Sequence, residues 1–131
     1  VTVLWEQRHV RAFEWGAIYV SDAARYEPDD HDFHEGGPVW ATPDHVAVAT
    51  VHAGAVDPAE ADVELLLQVL DRALPSADYA TVINVPSGVL NIGDADDSDD
   101  ITLHPGQWRL QINVDRPDEP SAIEIFLSPA P

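Results

Sequence analysis

Gln107-Trp108-Arg109-Leu110-Gln111-Ile112-Asn113-Val114 alternates polar and apolar side chains without a break. Successive side chains on a strand point to opposite faces, so Trp108, Leu110, Ile112 and Val114 share one face and the four polar residues share the other. That is the pattern of a half-buried antiparallel strand. Ala80–Val85, Val89–Ile92 and Ala122–Leu127 repeat the alternation, and in Val46–His52, where Val46, Val48, Thr50 and His52 alternate with Ala47, Ala49 and Val51, a strand buried on both faces is expected. Val10 to Val20 is rich in aromatic and β-branched residues and is interrupted by Gly16, where a bulge or bend is expected. Clusters of Gly, Pro and Asp separate these runs, and Glu27–Pro38 reads as a polar loop. The pattern predicts an all-β, single-domain antiparallel β-sandwich over residues 1–131, with room for one short helix.

The room for a helix lies between Pro58 and Leu74. Val63, Leu66, Leu67, Leu70 and Leu74 fall at helical spacing, behind Asp57 as an N-cap and Pro58 in the first turn. The same stretch alternates as a strand, with Val63, Leu65, Leu67 and Val69 against Glu64, Leu66, Gln68 and Leu70. Periodicity alone leaves both readings standing.

Charge narrows the function. The chain carries 24 acidic residues against six basic ones, a formal charge of -18, and all six basic residues are arginines. A field of this sign repels nucleic acids and anionic membrane surfaces and attracts cationic surfaces. Neither a nucleic acid nor a membrane is therefore expected as a partner. Dense acid without lysine fits either adaptation to high salt or an acidic face shaped for a basic protein. There is no cysteine, which removes disulfides, thiolate metal sites and thiol nucleophiles together. Val1–Arg11 holds no apolar run of leader or membrane-span length, and a cytoplasmic location is expected.

Two stretches carry a resemblance when taken with their spacing. Tyr79-Ala80-Thr81-Val82-Ile83-Asn84-Val85-Pro86 runs into Gly88-Val89-Leu90-Asn91-Ile92. After an acidic loop comes Ile101-Thr102-Leu103-His104-Pro105-Gly106-Gln107-Trp108-Arg109-Leu110. The strand, turn, strand and Pro-Gly-led aromatic strand resemble the bacterial competence-protein-J family, mainly over the last 55 or so residues. Weaker echoes are Trp15–Val20 and Val51–Gly54. The resemblance implies that Asp62–Leu70 is a strand, and that the chain inhibits a nuclease by binding it as a protein. It implies no individual inhibitory residue.

Four groups of residues bear on chemistry. His31, His34 and Glu35, within His31-Asp32-Phe33-His34-Glu35, offer imidazole and carboxylate donors suited to a divalent transition metal. Their spacing is not that of the helical hydrolase signatures, and a solvated polar loop is the plainer reading. Asp94, Asp96, Asp97, Asp99 and Asp100 form an acidic run that departs from the EF-hand pattern, with no glycine at the sixth position and Pro105 where the bidentate Glu belongs. It reads as a solvated hairpin loop able to face a basic partner. No serine sits in a nucleophile elbow, and Gly36-Gly37 leads into Pro38 rather than a helix, so neither a serine hydrolase nor a phosphate-cradling loop is expected. His52 reads as a core or rim histidine within an apolar strand. Of the tryptophans, Trp108 belongs to the core, and Trp5 is the one expected to be exposed for protein contact.

The sequence thus favours a non-enzymatic, acidic protein-binding module. It would be an inhibitor or immunity-type protein whose carboxylates imitate phosphates before a basic partner such as a nuclease. No cofactor is required by this reading. A metal-binding β-protein or metal-dependent enzyme built on His31, His34 and Glu35 is the alternative, and an acidic soluble domain without a strong partner is the second.

Overall fold

The computed structural model describes residues 1–25 and 37–131. The His31, His34 and Glu35 group lies outside the described residues, as does most of the expected Glu27–Pro38 loop. Ten strands follow in chain order: β1 (Val3–Ala12), β2 (Ala17–Asp22), β3 (Val39–Ala41), β4 (His45–Ala49), β5 (Asp62–Leu70), β6 (Tyr79–Val85), β7 (Val89–Gly93), β8 (Ser98–Thr102), β9 (Gly106–Val114) and β10 (Ala122–Pro129). They form two five-stranded sheets, ordered β1-β5-β10-β9-β6 and β3-β4-β2-β7-β8. Every neighbouring pair is antiparallel except β5 with β10, which run parallel. The fold is an all-β sandwich.

Alternation builds the core. Trp108, Leu110 and Ile112 of β9, Ile123, Ile125 and Leu127 of β10, and Ile83 and Val85 of β6 meet Ile18, Val20, Val46, Val48, Leu90, Ile92 and Ile101 of the facing sheet in one buried cluster. Burying each such side chain contributes about 1.5–3 kcal/mol, so this cluster is the dominant stabilising feature.

Asp62–Leu70 is a strand, and the reason is not local. Val63, Leu65, Leu67 and Val69 all point into the core. A helix would bury a similar number of apolar residues while satisfying its own backbone. A strand needs a neighbour on each side, and β1 and β10 supply both ladders. The helix-start signal survives only as a 3-10 turn at Pro58–Glu60, which Asp57 precedes without a side-chain cap. No described helix is long and apolar enough to cross a membrane.

Two further expectations meet the structure differently. Of the bulge or bend expected at Gly16, the structure has the bend: Gly16 closes the turn that carries the chain from β1 in one sheet to β2 in the other. Its φ of 71° favours glycine, and a Cβ there would press on His52. The Val46–His52 run ends as a strand at Ala49, and His52 is exposed just before a 3-10 turn at Ala53–Ala55. The chain leaves the sheet there because Thr50 N–H turns to Gly16 O and Val51 N–H to Pro120 O.

Candidate functional site

The two sheets end together along one side of the sandwich, where β1 lies opposite β8. Strand β1 alternates like the others, but its half-buried inward positions are Gln7, His9 and Arg11. They face the acidic β7–β8 hairpin instead of the apolar core. Gln7 Nε2 donates to Asp99 Oδ1 at 3.3 Å, and His9 Nε2 lies 2.6 Å from Asp99 Oδ2. Arg11 reaches furthest: Nη1 donates to Asp97 O at 2.8 Å and Nη2 to Asp94 Oδ1, while its guanidinium lies 4.3 Å from the centre of the Phe13 ring.

Asp94 organises the hairpin. Its side chain is 1% exposed, and its Oδ1 also accepts from the backbone N–H groups of Asp96 and Asp97, each at 3.1 Å. A carboxylate this buried needs charged or hydrogen-bonding partners, and Arg11 and the two amides provide them. Gly93 makes the tight approach feasible, because a Cβ there would collide with the Asp97 carbonyl and Ser98 Cα. The acidic run is therefore not one solvated loop: Ser98–Thr102 is a strand, and Asp94 faces Arg11 rather than water. Asp96, Asp97 and Asp100 remain exposed. Asp100 accepts from Asn91 Nδ2 at 2.9 Å on the outer side of the sheet.

Towards the start of β1 the seam opens into a groove of about 640 Å³, lined by Leu4, Trp5, Val69, Asp100, Ile101, Thr102, Leu103, His104 and Trp108. Trp108 forms its buried wall and donates Nε1–H to His104 O at 2.8 Å. Trp5 is 36% exposed at its mouth, and Leu4 beside it is 63% exposed. The structure thus brings two of the nominated residues, Trp5 and Asp100, to one groove, and places Asp96 and Asp97 farther along the same edge. Asp94 and Asp99 tie the edge together.

Sequence reasoning missed β1 and Trp15. Strand β1 has no apolar period because its inward side is polar. Among the described residues, Trp15 is the most exposed large hydrophobic residue, at 68%, on the turn between β1 and β2. That turn is fixed by Gly16 N–H to Phe13 O, Ala53 N–H to Phe13 O and Gly54 N–H to Glu14 O. Glu14 and Gly16 on either side of Trp15 were the available signal.

The carboxylates with displaced pKa values elsewhere are structural. Burial opposes ionisation of Asp115, but donation from the Ser121 hydroxyl and from the Ser121, Ala122 and Arg116 amides outweighs it and lowers the pKa to about 2. This clasps the turn between β9 and β10. Burial likewise opposes ionisation of Asp22, and the Ser87 and Ala24 amides hold its pKa below the usual value. Tyr19 is shifted upward by burial and by the nearby Asp94 charge. Among the described residues, no group of three or more His, Asp or Glu side chains is placed to hold a metal ion.

No protein-family model matches the chain, and no curated protein does. Two solved structures are similar along nearly its whole length. One is ComJ of Bacillus subtilis, an inhibitor of the DNA-degrading activity of NucA; the TM-score is 0.62 at 9% identity, with 98% of each chain covered. The other is the product of crocagin biosynthetic gene J, with a TM-score of 0.57 at 15% identity, covering 98% of this chain and 100% of that one. At such identities the likeness concerns the backbone, and it places this chain among ComJ-like β-sandwich folds.

Proposed function

We propose that the chain is a non-enzymatic, inhibitor-type protein-binding module, and that its β1–β8 edge docks on a cationic surface of a nuclease. The observation that carries this reading is the juxtaposition of an apolar groove with exposed carboxylates on the same edge. Protein interfaces combine a desolvated anchor, often aromatic, with a polar rim. Trp5 and Leu4 supply the anchor; Asp96, Asp97 and Asp100 supply the rim. The shared fold with ComJ supports an inhibitory role, and the charge of -18 supports a basic partner.

The mechanism follows from the geometry. The acidic field draws the partner in, and the exposed aspartates occupy positions that DNA phosphates would take. The groove then excludes water around an apolar partner side chain, which slows dissociation. Arg11, His9 and Gln7 keep the hairpin in place, so little ordering entropy is lost on binding. The exposed aspartates would be held at fixed spacing before the partner arrives.

Titration of the purified chain into a plasmid-degradation assay of a cationic, NucA-like nuclease tests the reading. Stoichiometric loss of degradation is expected, relieved in the Trp5→Ala variant. Undiminished degradation with the chain in large excess, in low salt, would contradict it.

A further inference from the structure

We infer that Trp15 is a second contact point for the cationic partner, and that the group it receives is an arginine or lysine side chain laid over the indole. The inference rests on the reading of a cationic protein partner and adds a site at the opposite end of β1 from the Trp5 groove.

Trp15 stands on a fixed turn. Gly16 N–H and Ala53 N–H both donate to Phe13 O, at 3.0 and 3.1 Å, and Gly54 N–H donates to Glu14 O at 3.4 Å. His52 packs against both glycines: a Cβ on Gly16 would lie 3.0 Å from His52 Cβ, and one on Gly54 would lie 3.1 Å from His52 Cε1. The backbone under Trp15 is thus held from below while its side chain is left in water. An indole has only two rotatable side-chain bonds, so covering it costs little conformational entropy. Arg11 joins the turn to the β1–β8 edge, because it lies over the Phe13 ring and also holds Asp94 and the Asp97 carbonyl of the β7–β8 hairpin.

The surroundings select the occupant. Residues 13–16, 52–60 and 116–120 meet at this end of the sandwich, joined by the bonds above and by Val51 N–H to Pro120 O. Glu14, Asp57, Glu60, Asp118 and Glu119 are exposed on these segments. Their one arginine, Arg116, already lies 3.8 Å from Asp115. Among the described residues, no other exposed large hydrophobic side chain stands there, so Trp15 offers one ring and not an apolar patch. A lone indole among carboxylates attracts a cation through both the ring quadrupole and the surrounding field. An apolar side chain would gain the area of a single ring and nothing from the charge. A second copy of this chain, at -18, would be repelled.

The test uses a defined probe, the blocked peptide Arg-Gly-Arg, and a neutral control of the same shape with citrulline in place of each arginine. Indole Nε1–H resonances are followed by NMR, with the Trp15 signal assigned by its loss in Trp15→Leu, and affinities are read from backbone amide shifts. The Trp15 signal should move saturably with the arginine peptide, and the citrulline peptide should bind roughly 5-fold more weakly. Trp15→Leu keeps an apolar side chain but removes the ring, and should weaken binding of the arginine peptide by a similar factor; Trp15→Tyr should retain most of it. A stationary Trp15 signal, equal binding of the two peptides, unchanged affinity in Trp15→Leu, or Trp15→Tyr no better than Trp15→Leu would each overturn the assignment. The nuclease assay separates this contact from the inhibitory reading. Undiminished inhibition by Trp15→Leu would remove Trp15 from the interface and leave the inhibitory function standing, whereas arginine-peptide binding at Trp15 without any inhibition would contradict the nuclease reading and keep the cation seat.

Discussion

The centre of the sandwich and its β1–β8 edge are built from the same alternating strands, yet their inward faces differ. Under β5 and β10 the inward residues are Val63, Leu65, Leu67, Ile123, Ile125 and Leu127. Opposite β8 they are Gln7, His9 and Arg11, paired with Asp94, the Asp97 carbonyl and Asp99. Apolar burial is non-directional and rewards volume, whereas the edge contacts are directional and fix where individual carboxylates sit. The centre supplies stability, and the edge spends some of its burial on a defined charged surface.

The contrast predicts a graded set of mutational effects. Leu67→Ala, at a fully buried central position, should cost about 2–5 kcal/mol in urea denaturation through lost transfer energy and a cavity. A loss under about 1 kcal/mol would mean that the centre is not the stabilising half. Arg11→Ala should cost less, about 1–3 kcal/mol, because Asp94 stays buried but keeps its two amide donors. Adding Asp94→Asn should recover part of that loss. A double variant that is no better than additive would argue that the two groups are uncoupled.

These two regions were not equally legible in the sequence. Strands β6, β7, β9 and β10 could be read from alternation because one face of each meets the apolar core. Strand β1 could not, since its inward residues are polar, and β8 offers only Ile101 as an apolar marker. The Asp62–Leu70 segment stayed ambiguous because its partners, β1 and β10, are distant in sequence, and nothing local records them. Of the nominated site residues, Trp5 lies on the β1 edge at 36% exposure, while Trp15, which was not nominated, is exposed at 68%. Asp94 was read as solvated, because Arg11 lies 83 positions away and no periodicity connects them. The turn at Gly16 was recognised as a break, but the change of sheet it serves depends on contacts with Phe13, Thr50 and His52.

A smaller effect separates fixed carboxylates from solvated ones. Asp115 has a folded pKa of about 2, below its ordinary value of 3.8. Its contribution is therefore present above about pH 4 and is lost as pH falls towards 2. Asp115→Asn should flatten the decline of stability across that window when unfolding is followed by urea titration at several pH values. An unchanged slope would place the acid sensitivity elsewhere. Asp96, Asp97 and Asp100, being exposed, should change stability by no more than about 0.5 kcal/mol when converted together to Asn.

That same triple substitution tests the central claim through association kinetics with the cationic nuclease of the inhibition assay. The account predicts that the native chain associates faster as salt is lowered and the Debye length grows beyond about 8 Å. It also predicts that the triple Asn variant loses roughly 10-fold in association rate at low salt, with its fold intact. A rate independent of salt and unaltered in the variant would contradict the β1–β8 edge as the surface that recognises its partner.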